Sequence, residues 1–70
     1  MPIVIAPTDT ELTIIKVLAD EKTKRHLESL GVVTNSKIKV ISSRGGNTIC
    51  VVKGIRLAFN RETASKILVA

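Results

Sequence analysis

From Lys37 to Phe59 the chain reads KIKVISSRGGNTICVVKGIRLAF, and this stretch limits the fold more than any other. Ile38 and Val40 point one way and Lys37, Lys39 and Ile41 the other, the period of two that marks a strand with one buried face. "RGGN", residues 44 to 47, is a turn by composition, and "TICVVK" after it is the return strand of a hairpin. Gly54 marks a second tight turn, beyond which Ile55, Leu57 and Phe59 alternate with Arg56 and Ala58, a buried face against a wet one. A small, strongly twisted sheet of this kind closes on itself, because closure buries one face and removes exposed edges.

The remaining segments must cover that buried face. Residues 3 to 5, Ile-Val-Ile, form a short apolar lead-in that ends at Pro7 and the polar "TDTE". "LTIIKVLA", residues 12 to 19, is a strand. Asp20 stands where a helix N-cap belongs and Glu21 puts negative charge where the helix dipole favours it. The spacing predicts a helix over Glu21 to Leu30 with Thr23, Leu27 and Leu30 on one face, stopped by Gly31 in the left-handed conformation. At the other end Asn60 caps a short helical turn, "RETAS", before a last strand, "KILVA".

Seventy residues support one domain, residues 1–70, with every element sharing one core. The usual braces of so small a domain are few in this chain. Cys50 has no second cysteine to pair with, which suits a reducing compartment, and a structural zinc site needs about four Cys or His ligands where only His26 and Cys50 stand. The stabiliser left is aliphatic: 44% of residues are hydrophobic, mostly Ile, Val and Leu. No apolar run reaches the roughly 20 residues of a membrane helix, and "MPIVIAPTDTE" has no basic region of a signal peptide. A cytoplasmic protein without membrane insertion is expected.

No catalytic set is legible. His26, the only imidazole, sits in a charged helix without an acid to orient it, and Cys50 lies within a strand as a buried, inert thiol. "RGGNT" leads from strand to strand, unlike a phosphate cradle leading into a helix. The six acids are scattered, so neither paired-carboxylate chemistry nor a metal centre is expected, and no cofactor is implied. Eleven Lys and Arg against these six acids give a net charge of +5. Charge of that sign attracts nucleic acid, an anionic membrane face or an acidic protein. Nucleic acid is disfavoured, since single-strand binders stack bases on aromatics and Phe59, the only one, belongs to the core.

At "RHLESLGVVTNSKIKV" the sequence resembles the FeoA family, small cytoplasmic partners of the bacterial ferrous iron transporter FeoB. The matching places are Arg25 or His26, Leu27, Leu30-Gly31, Val32 and Ile38 to Val40. They continue through Ile14 and Val17 and into "RLAFNRETASKILVA", with Ala64, Ile67 and Val69 at the family's closing positions. Asn35 replaces the loop glycine, tolerable because Asn also visits positive φ, and Thr10 and Glu11 stand where glycines often precede the first strand. The resemblance implies a mainly β fold, an SH3-like small β-barrel with one inserted α-helix and a short helical turn before the last strand. It implies a non-enzymatic accessory of ferrous iron uptake that binds and modulates FeoB. Arg25, Arg44, Arg56 and Arg61, with Lys24, are the candidate contacts for an acidic patch on that partner, since arginine pairs bidentately with carboxylates. A nucleic-acid-binding barrel and a detached metalloregulator domain are the alternatives, and self-association is left open.

Overall fold

Both turns of the central meander adopt the geometry that two-residue hairpins require, with positive φ at both central residues. Gly45 and Gly46 have φ of 58° and 87°, and Lys53 and Gly54 of 52° and 78°. In this computed structural model, which describes residues 1–70, these turns join β2 (Lys37–Arg44), β3 (Asn47–Val52) and β4 (Ile55–Phe59). β1 (Glu11–Val17) precedes them, separated by α1 (Glu21–Ser29), and α2 (Arg61–Ala64) and β5 (Ile67–Val69) follow. The sheet runs β4-β3-β2-β1-β5 and every pairing is antiparallel. Register slips between Val40 and Ser42 and between Ile14 and Lys16 accentuate its curl.

α1 forms where its caps allow. The Asp20 carboxylate accepts from the Thr23 N–H at 2.9 Å, and Gly31, with φ of 93°, follows the C-cap Leu30. The Val32 N–H then returns to the Leu27 carbonyl at 2.9 Å, which also accepts from the Leu30 N–H at 3.0 Å, so the chain leaving the helix is tied back to its last turn. Asn60 caps α2 in the same way, accepting from the Thr63 N–H at 2.9 Å. Asn35 does hold a positive φ, 76°, and its N–H donates to the Ile14 carbonyl at 2.7 Å.

Fourteen buried residues form one hydrophobic cluster, with Ile14, Leu27, Ile38, Val40, Cys50, Val52, Ile67 and Val69 among them. Thr48 is its one buried polar side chain, and its hydroxyl lies 3.4 Å from that of Ser43. The Ser43 hydroxyl also donates to the Val4 carbonyl at 3.2 Å, tying the lead-in to β2.

The apolar lead-in takes a definite form, and two expectations need revision. The Ile3–Ile5 lead-in is a single 3-10 turn that drives Ile3 into the core and leaves Ile5 exposed. The first strand stops at Val17, opposite Ile67 where its partner β5 begins, and the exposed Leu18 makes one last bond across, donating its N–H to the Lys66 carbonyl at 2.8 Å. Ile55, expected on a buried face, is 57% exposed. It pairs with the buried Val52, but β4 is an end strand with no strand on its far side, and side chains on its inner face are covered only towards Phe59.

Candidate functional site

The chemistry-bearing residues fall in separate places. His26 is exposed in the last turn of α1, beside a shallow groove of about 260 Å³ between α1 and β4 that Leu30, Leu57 and Phe59 help to line. Cys50 is wholly inside, and burial pushes its thiol up to about 11. A thiol so placed stays protonated near neutrality and is a poor nucleophile or metal ligand. No three His, Cys, Asp or Glu side chains gather closely enough to hold a metal ion.

What remains is cationic surface. The single ion pair is Lys66 with Glu62, at 3.5 Å and exposed, so it holds little stability. The five candidate contact residues do not form one patch. Lys24 and Arg25 lie on α1, half-buried and exposed respectively. There they share the helix and its cap with Lys22 and with Asp20, Glu21 and Glu28, so that segment carries no net charge. Arg44 and Arg61 come to the same end of the barrel. Arg44 closes β2 opposite Asn47, and the Arg61 side chain lies across Gly46 in the adjoining turn. That contact is so close that a Cβ built on Gly46 would sit 2.7 Å from the Arg61 Cβ, and it buries the glycine. A hollow of about 250 Å³ beside it is lined by Val4, Ile5, Ser43 and Ser65.

Arg56 stands apart from the other four, on the outer face of the sheet. Its cross-strand partner is Val51, whose partner on the other side is Lys39, which is in turn opposite Glu11. Two residues along β2, Lys37 also faces outward and donates from Nζ to the Thr13 hydroxyl at 2.8 Å. Lys37, Lys39 and Lys53 surround an open hollow of about 550 Å³. Lys37 and Lys39 are legible in the sequence as wet-face residues. Their meeting with Arg56 and Lys53 depends on two strand registers, one of them slipped, and pattern reading carries no signal for that.

Fold and surface together define a small β-barrel of the SH3-like type whose accessible chemistry is cationic. The model of the FeoA domain family matches residues 1–70, and the chain belongs to that family, one of ferrous iron transport accessory proteins. A protein of Methanocaldococcus jannaschii, provisionally assigned as Fe(2+) transport protein A, is 34% identical over 68 residues, spanning 97% of this chain and 83% of the relative. The crystal structure of an iron uptake regulatory protein, FeoA, superposes with a TM-score of 0.89 at 21% identity, covering 99% of this chain and 93% of that one. Zinc-complexed Stenotrophomonas maltophilia FeoA, described as a procaryotic SH3 domain protein, gives a TM-score of 0.85 at 21% identity, covering 100% and 89%. At such identities the two structures speak for the fold alone.

Proposed function

We propose that this protein is a non-enzymatic, cytoplasmic accessory of ferrous iron uptake that acts by binding the cytoplasmic part of a FeoB-type membrane transporter. The observation that carries this reading is the match of the FeoA family model along the whole chain. A small rigid domain with a buried thiol and one exposed histidine acts on a partner by preferring one of its conformations, and its effect is bounded by that difference in affinity.

The contact is electrostatic, with two or more of Lys24, Arg25, Arg44, Arg56 and Arg61 meeting an acidic patch. Arg44 and Arg61 are favoured as its centre because they lie together at one end, where Arg61 is braced against the hairpin turn. The test is capture of the purified FeoB cytoplasmic domain by the immobilised protein at low salt. Arg44→Glu with Arg61→Glu should lower capture by at least tenfold while the melting temperature moves little. If neither this pair nor Arg25→Glu or Arg56→Glu weakens capture, the contact does not run through these cations. If the parent protein captures nothing, the FeoB reading itself fails.

A further inference from the structure

The net charge of the molecule is concentrated on one surface. The outer face of β2, β3 and β4 with their turn carries Lys37, Lys39, Lys53 and Arg56, with Glu11 opposite Lys39, and these five side chains hold a net of three of the chain's five charges. None of these cations lies within ion-pair distance of a carboxylate. Adjacent strands are ~4.8 Å apart and alternate residues along a strand ~6.8 Å, so the four spread over roughly 10 Å in each direction. Such a spread exceeds what one bound phosphate neutralises and suits an array of anionic groups. Between them Ile41 and Val51 are half-buried, giving the face an aliphatic floor with no aromatic ring for a base to stack on.

Lys53 adds a second observation. It occupies the first central position of a two-residue turn at φ of 52°, where Asn or Gly fits the backbone better. Its stem runs past Gly31, with Cδ 3.5 Å from where a Cβ on that glycine would lie, and it lines the hollow with Lys37 and Lys39. The strained position therefore puts a cation on this face at the backbone's expense.

We propose that the outer face of β2 to β4 is a docking surface for the anionic phospholipid headgroups of a bilayer, with Lys37, Lys39, Lys53 and Arg56 as the contacting residues. The protein lies on the membrane through this face and inserts nothing. This holds whether or not FeoB is the partner, because it concerns bare lipid.

The experiment is co-sedimentation with vesicles of phosphatidylcholine with and without phosphatidylglycerol, free of any protein partner. Binding should require phosphatidylglycerol and weaken steeply as salt rises, since screening acts over ~10 Å at 0.1 M ionic strength. Reversing Lys37, Lys39, Lys53 and Arg56 to Glu should cut partitioning by on the order of a thousandfold. Reversing Lys16, Lys22, Arg25 and Lys66 to Glu, the same change in net charge made elsewhere, should cut it far less. Lys53→Asn should raise the melting temperature while weakening vesicle binding a fewfold, a split that a purely structural lysine does not produce. Equal losses in the two fourfold variants would reduce the effect to net charge and overturn the assignment. So would unchanged binding of the first variant, or binding to an oligonucleotide or soluble polyphosphate without binding to vesicles.

Discussion

Gly45 and Gly46 are neighbours in one turn, yet they answer to different constraints. Gly45 has open space around it, and its φ of 58° lies in the region Asn visits readily. Gly46, at φ of 87°, supports the Arg61 side chain directly. Gly45→Asn should therefore leave stability within about 0.5 kcal/mol of the parent or slightly above it, since Asn-Gly is the favoured pair for this turn. Gly46→Ala should cost about 1 to 3 kcal/mol from left-handed strain and from displacing Arg61. Urea unfolding of the two variants measures the difference, and equal midpoints would show that Arg61 does not rest on the turn. If Arg44 and Arg61 form the transporter contact, Gly46→Ala should also weaken capture of the FeoB domain more than its loss of stability explains.

At the level of elements, α1 shows what a sequence can and cannot disclose. Its start at Asp20 and its stop at Gly31 are legible because capping is local chemistry, satisfied within three or four residues. The two hairpins are legible for the same reason, through paired positive-φ positions and alternating burial. The exposure of Ile55 is not, because it depends on β4 being an end strand, a property of the whole sheet. Likewise the grouping of Lys39 with Arg56 needs the register on both sides of Val51, and the packing of Arg61 on Gly46 needs the path of α2. The cap itself makes a pH prediction. The hydrogen bonds that Asp20 accepts from Thr23, with smaller help from Lys66 and Lys22, hold its carboxyl below the usual 3.8. A carboxyl lowered on folding stabilises above its unfolded pKa and loses that contribution as pH falls through the folded value. Thermal melts from pH 6 down to pH 2 should therefore show an acid-side loss that Asp20→Asn, a cap without a titrating group, diminishes. An identical acid profile in the variant would mean that the α1 cap has no part in acid sensitivity.

For the molecule as a whole, the question is how a five-stranded sheet this short holds its curl when its end strands, β4 and β5, do not pair with each other. α2 spans the gap by connecting them, with Ala64 fully buried. The chain's first residues add a second closure. The Val69 N–H donates to the Met1 carbonyl at 2.7 Å and the Met1 ammonium donates to the Val69 carbonyl at 2.8 Å, so the lead-in is laced to β5. From there the 3-10 turn packs against β2 and β3 as well, and Ile3 enters the core with no exposed surface. Ile5, two residues on, is 69% exposed. This contrast separates closure from mere hydrophobicity. Ile3→Ala should cost about 2 to 5 kcal/mol, as for other fully buried aliphatic side chains, a large share of the ~5 to 15 kcal/mol typical of a folded domain. Ile5→Ser should stay within about 0.5 kcal/mol. Guanidinium unfolding of both variants tests the pair. If Ile3→Ala unfolds at the parent's midpoint, the lead-in is an attachment to a barrel that is complete without it. A large loss confined to Ile3 shows instead that the first turn of the chain is a structural wall, in which an IVI triplet divides its side chains between core and solvent through one turn of 3-10 geometry.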